Sequence, residues 1–425
     1  MAKSVCMWWT DFLLRLLLVS FVGKKMSRIF LFLTALLVCA CGIEEIGGVD
    51  NVSGGGVWGG MDESQASPGG FHKVCYVTAL DYQKGYDWRA DQARENVRCS
   101  LVVFADGVPV MKLPVGSAYE TSSDPDMHRI IDGHLYTDYS TDEETVIKKD
   151  GALMFRYQGR ESLCGMKIIG EDLYTLGQSR DGKGFAFRRN GEILLKKDNG
   201  TVMGSLNSEG DSLFFAFYEL IRNAEGNVGR YYMSVNSKVK QIALREDIKD
   251  VWDILCNRDQ VTYLASLTGL REPVLISGES MTALQLPQGA SLSACRLIRS
   301  GDNLLAEGIC HHNGDLYDAL WINGRLLTVF PKNRMVTSLD VSDNGVFCAL
   351  NPTASDVNGI IHRSGEDYSM PKGYSALGTS CVKVIDGILH VGLSSRNGRK
   401  PLIWKDGVTD SLKVNGYITS IYAEP

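Results

Sequence analysis

One turn, copied along the chain at a nearly fixed interval, limits what this sequence can fold into more than any other feature. An apolar run ends in a polar residue and Gly at Asp106-Gly107, Asp150-Gly151, Asn190-Gly191, Ser277-Gly278, Asn323-Gly324, Ser364-Gly365 and Asp406-Gly407. A degenerate copy over 232–237 fills the fourth place, with Asn236 as its marker. Successive markers stand 40 to 46 residues apart, with a mean of about 43. A second turn, as in Gly133-His134-Leu135-Tyr136, Asp302-Asn303-Leu304-Leu305 and Gly387-Ile388-Leu389-His390, precedes the first by roughly 16 to 23 residues. Asp-Gly and Asn-Gly suit these places because tight hairpin turns require positive φ.

Each unit therefore reads as strand A, tight turn, strand B, loop, strand C, Asp/Asn-Gly turn, strand D. This is an all-β chain, and the period is that of a four-stranded propeller blade. The count gives a β-propeller of eight blades, or seven if the fourth copy or the atypical first unit is not a blade. The first unit starts at strand B, residues 73–80, and the chain ends on a strand A, residues 418–422. The C-terminal strand is thus expected to close the ring, which removes open sheet edges.

The N-terminus reads as an address. Met26-Ser27-Arg28 precedes an apolar run over 29–38, and Val38-Cys39-Ala40-Cys41 follows. A short basic segment, an apolar core of about ten residues and a small residue before the cut describe a secretory signal. The last four residues resemble a bacterial lipobox, in which the Cys corresponding to Cys41 is lipidated. The apolar runs 12–22 and 29–38 are each shorter than the roughly 20 residues of a membrane span, so an anchor is expected, with Met26 as the true start. Residues 42–70, with Gly54-Gly55-Gly56 and Pro68-Gly69-Gly70, read as a flexible tether. The expected organisation is signal region 1–41, tether 42–70 and propeller 71–425.

Charge narrows the partners. The formal charge is −6; without residues 1–41, 39 basic residues stand against 49 acidic ones, a net −10. Binding nucleic acid needs clustered Lys and Arg, so that class is set aside.

Catalytic signatures are sparse. Trp252-Asp253 is a single Trp-Asp pair, which does not make a WD40 array, and no unit carries the Gly-Gly doublet and aromatic spacing of kelch repeats. Residues 179–184 hold an Asp-box-like run with its Gly out of register. Eight Cys lie beyond Cys41. Cys75 and Cys99, on strands B and C of the first blade, can form a cross-strand disulfide; Cys164, Cys256, Cys295 and Cys381 read as small thiols packed between blades. No CxxC occurs, and His311-His312 lack a visible third ligand, so no metal and no cofactor are expected.

The signal and the repeats together resemble uncharacterised β-propeller lipoproteins of the Bacteroidetes. Glu44-Glu45, just after Cys41, resembles the surface-export signal of such proteins. With the tether, the rigid repeats and the lack of a catalytic signature, the expectation is a monomeric outer-membrane lipoprotein, facing the periplasm or the cell surface, whose propeller is a noncatalytic binding or scaffold module for an unknown glycan, peptide or protein ligand. The alternative is a glycan- or peptide-degrading enzyme using carboxylates near the axis. Variable B–C loops on a rigid scaffold are where recognition usually resides, and Tyr86, Trp88, Arg180, His311, His312, Arg396 and Asn397 are the ligand-binding candidates there.

Overall fold

The computed structural model describes residues 73–83, 99–115, 128–140, 143–182, 184–223, 226–258, 260–300, 303–342, 345–354, 357–395 and 399–424. Cys41 and the segments expected as signal region and tether lie outside them. The described residues hold strands and no helix. Blade 1 contains β1 (Val74–Tyr82), β2 (Cys99–Ala105) and β3 (Val108–Val115). Blade 2 is β4 (His128–Ile131), β5 (His134–Ser140), β6 (Glu144–Lys149) and β7 (Ala152–Gln158). Blade 3 is β8 (Glu161–Ile169), β9 (Asp172–Ser179), β10 (Phe185–Arg189) and β11 (Glu192–Lys197). Blade 4 is β12 (Gly200–Glu209), β13 (Ser212–Asn223), β14 (Gly226–Val235) and β15 (Lys238–Gln241). Blade 5 is β16 (Ile248–Cys256), β17 (Val261–Leu267), β18 (Val274–Ser277) and β19 (Ser280–Ala283). Blade 6 is β20 (Ser291–Ser300), β21 (Asn303–His312), β22 (Asp315–Ile322) and β23 (Arg325–Val329). Blade 7 is β24 (Arg334–Ser342), β25 (Gly345–Pro352), β26 (Ile360–Arg363) and β27 (Glu366–Ser369). Blade 8 is β28 (Tyr374–Ser375), β29 (Val382–Ile385), β30 (Ile388–Ser395), β31 (Leu402–Lys405) and β32 (Val408–Ser411), with β28 and β29 sharing the inner place beside β30. The last strand, β33 (Ile418–Glu424), pairs with β1 and completes blade 1. The chain is an eight-bladed β-propeller.

The core lies between the blades. Middle strands are apolar on both faces because a neighbouring blade covers each; in β25, Phe347, Cys348, Ala349 and Leu350 are all buried. Phe185, Phe187, Phe215 and Phe217 fill the wedge between blades 3 and 4, with the Phe185 and Phe217 rings 4.8 Å apart. The outer strands β15, β19 and β32 are exposed throughout.

The repeated turn has a physical reason. The residue before Gly sits in the left-handed region, at φ 47° for Asp106, 50° for Asp150, 48° for Asn190 and 40° for Asp406. Its side-chain oxygen also accepts a strand B backbone N–H: Cys75 to Asp106, 3.0 Å; Leu135 to Asp150, 2.9 Å; Leu173 to Asn190, 2.9 Å; Leu304 to Asn323, 2.9 Å. Short Asp and Asn side chains meet both demands, positive φ and a nearby acceptor.

Closure is extensive. The pairing of β1 with β33 runs from Val74↔Glu424 to Ala79↔Ile418. Beyond it, Leu80 N–H donates to Tyr417 O and Tyr82 N–H to Asn415 O, both at 2.9 Å. Buried Thr78 shares hydrogen bonds of 2.7 Å with the hydroxyls of Thr419 and Ser420.

Candidate functional site

The A–B and C–D turns emerge on one face of the ring, and the B–C and D–A connections on the other. On the first face the described turns are mostly two residues long: Asp132-Gly133 (φ 51° and 70°) and Asp386-Gly387 (φ 50° and 80°) put both residues in the left-handed region, whereas at Gly170-Glu171 and Gly210-Asp211 only the Gly lies there. The B–C connections differ from blade to blade. The segment 310–315 is not a loop: β21 runs on through His312, and Asn313-Gly314 alone (φ 52° and 88°) make the turn into β22. The segment 218–229 is a ladder, paired from Tyr218↔Tyr231 out to Asn223↔Gly226. It forms a long hairpin with Tyr218 and Tyr231 5.9 Å apart and Leu220 exposed.

Of the ligand-binding candidates, Tyr86, Trp88, Arg396 and Asn397 lie outside the described residues. Arg180 is exposed in a compact turn, where its N–H donates to Arg160 O at 3.1 Å. Ser179 Oγ donates to Asp181 at 2.7 Å and accepts the Gly184 N–H at 3.0 Å, which holds that turn. His311 is exposed at the tip of β21. His312 is half-buried, with Nε2 2.9 Å from Asn313 Nδ2 and Nδ1 buried without a partner. Gly289 admits the ring: a Cβ there would come within 2.7 Å of His312 Cε1. Arg180 belongs to blade 3 and His311 and His312 to blade 6, so the structure does not bring them together.

The cross-strand disulfide is corrected. Cys99 pairs with Tyr82 at one end of β1, whereas Cys75 lies beyond the Tyr76↔Ala105 pair at the other. Both thiols are free and buried, and burial pushes Cys75 up to about 11 and Cys99 up to about 12. These are packing groups, not reactive ones.

Three carboxylates of the inner strands, Glu161, Asp253 and Asp340, are engaged in ion pairs or backbone hydrogen bonds. Glu161 (β8) takes a two-pronged bond from Arg188, both contacts 2.6 Å, and the guanidinium lies 4.2 Å from the centre of the Tyr157 ring. Asp253 (β16) accepts the Leu297 N–H of blade 6 at 2.7 Å. Asp340 (β24) accepts Lys383 and the Val384 N–H of blade 8, each at 2.8 Å. Polar side chains of middle strands do the same: the Val202 N–H reaches Gln178 at 2.7 Å, Ala376 reaches Asn351 at 2.9 Å and Ile418 reaches Ser394 at 3.0 Å. Each supplies an acceptor to a backbone N–H of the next blade.

Asp318 on β22 is a strongly perturbed carboxyl. It is buried between blades 6 and 7 and accepts the Val336 N–H. Burial lifts it to about 7, and the nearby Glu307 adds to the rise. Glu307 is itself paired with Arg296. Among the described residues no group of three or more His, Cys, Asp or Glu is placed to hold a metal ion.

No family model and no curated protein matches the chain. Solved structures with a similar course include the β-propeller domain of the Trilobed protease from Pyrococcus furiosus, at 8% identity and TM-score 0.42, over 71% of this chain and 98% of that one. Dihydro-heme d1 dehydrogenase NirN matches at 8% identity and TM-score 0.48, over 81% and 74%. BamB from Moraxella catarrhalis matches at 11% identity and TM-score 0.37, over 70% and 87%. At these values the likenesses carry no argument about function; the fold rests on the strand pairing itself.

Proposed function

We propose that this chain is a noncatalytic binding module, anchored at the cell envelope through an acylated Cys41 and engaging its ligand with the B–C face of the propeller. The observation that carries this reading is the contrast between the faces. One face is built of short turns, most of them two residues long, while the other carries a long hairpin in blade 4, a compact turn at Arg180 and a tight His312-Asn313-Gly314-Asp315 end in blade 6. Rigid blades presenting dissimilar ends are suited to recognition. The engagement of Glu161, Asp253 and Asp340 in the ring itself favours binding over the enzymatic alternative, which would need an acid and a base near the axis.

A glycan and peptide array probed with the full chain tests this. The expected result is retention of a ligand class that is recovered chemically unchanged after prolonged incubation. Cleavage of the retained ligand, abolished by a carboxylate-to-amide change on an inner strand, would contradict it.

A further inference from the structure

Two cations on neighbouring inner strands stand without counter-charges among the described residues. Arg129 on β4 pairs with Tyr136, and Lys167 on β8 pairs with Tyr174; each is the third pair counted from its A–B turn. The same register place holds Asn207 on β12, opposite Phe214, and Tyr422 on β33, opposite Tyr76. Around blades 1 to 4, one level of the ring thus presents a phenol, a guanidinium, an ammonium and a carboxamide, all of them hydrogen-bond donors.

Of the other inner-strand cations, Arg296 is matched with Glu307 and Lys383 with Asp340, whereas Lys249 and Arg299 are exposed to solvent. Among the described residues no carboxylate pairs with Arg129 or Lys167. Arg129 Nη1 is buried with no hydrogen-bond partner. Lys167 is half-buried; burial, followed by the positive charge of Arg129, lowers its amine below the ordinary lysine range. Two like charges held partly out of water repel, and a buried guanidinium N–H without an acceptor is destabilising. A negatively charged group placed between them removes both penalties, and a guanidinium beside an ammonium matches the geometry of an oxyanion.

We propose that Arg129 and Lys167, flanked by Asn207 and Tyr422, form an oxyanion-binding site on the inner strands of blades 1 to 4, taking a phosphate or carboxylate group. The site lies on the A–B half of the ring and does not depend on the reading of the B–C face.

The test is thermal unfolding of the full chain at pH 7 in sodium phosphate, sodium succinate and sodium chloride at matched ionic strength. Wild type is expected to show a saturable rise in midpoint with phosphate or succinate, the responding salt identifying the oxyanion. Arg129→Gln and Lys167→Gln should each weaken the response about tenfold, and the double variant should respond as it does to chloride. Lys405→Gln, beside an outer turn, should keep the full response. In chloride alone Lys167→Gln should melt at or above wild type, because a repulsive charge has gone. A wild-type response equal to that in chloride, an undiminished response in the double variant, or a lower midpoint for Lys167→Gln in chloride would overturn the proposal.

Discussion

Asp318 shows how one buried side chain sets a pH dependence. Its folded value of about 7 stands above the ordinary carboxyl range. The folded chain therefore holds a proton that the unfolded chain releases. The stabilisation from this group is complete below about pH 4 and is lost as the pH rises to about 7. The span corresponds to at most roughly 4 kcal/mol. Asp318→Asn keeps an oxygen for the Val336 N–H and cannot ionise, so its thermal midpoint should exceed wild type at pH 8 and converge with it near pH 4. Parallel curves between pH 4 and 8 would show that Asp318 does not titrate in that window. The turn residue Asn190 gives a second test at this scale. Asn190→Ala removes the acceptor for the Leu173 N–H and leaves a β-carbon at φ 48°, so a loss of about 1–2 kcal/mol is expected in denaturant unfolding. Asn190→Gly, free of the backbone strain, should lose less.

Single elements divide sharply into those legible in the sequence and those that were not. The C–D turns were legible because positive φ restricts which residues can stand there, and Asp106, Asp150, Asn190, Asn323 and Asp406 declare it. The end of β21 was not. Whether the strand continues beyond Cys310 is decided by pairing of His311 with Leu316 and His312 with Asp315, which lies in the partner strand. The hairpin of β13 and β14 carried a usable signal in its unbroken β-rich run, Phe214-Phe215-Ala216-Phe217-Tyr218, continuing to a Gly at 226. The Cys75–Cys99 reading failed because membership of adjacent strands does not fix register, and the register puts them at opposite ends of the hairpin. The same limit hid Arg129 and Lys167, whose equivalence appears only once both are counted from their turns. The hairpin also yields a prediction. Joining Glu219 to Arg230 through Asn-Gly deletes residues 220–229 but keeps Phe217 and Tyr232 in the core. The midpoint should fall by less than about 3 °C; a collapse of cooperative unfolding would mean that the hairpin belongs to the core of blade 4.

At the scale of the whole molecule, stability depends on the ring being closed. Deleting residues 417–425 removes Ile418 and Ile421, each buried and worth roughly 1.5–3 kcal/mol. It also leaves Thr78 without its hydroxyl partners. Chain ends are ordinarily tolerant of trimming, so a large fall in midpoint is a discriminating outcome, and an unchanged one would contradict closure through β33. Gly392→Ala probes the same seam without truncation, because a Cβ there would come within 2.7 Å of Ile418 Cγ2. A smaller fall, of the order of 1–3 kcal/mol, is expected in denaturant unfolding.

The closed ring makes the two faces rigid and different, and the central claim is that the varied face binds. Once the array supplies a ligand, the most direct measurement is its dissociation constant for two sets of alanine variants of the full chain. One set changes the candidates read from the sequence, Tyr86, Trp88, Arg180, His311 and Arg396; the other changes Lys149, Arg189 and Lys405 beside the C–D turns. Binding should weaken about tenfold or more for at least two members of the first set and stay within about twofold for every member of the second. Weakening confined to the second set would place the ligand on the opposite face and contradict the account.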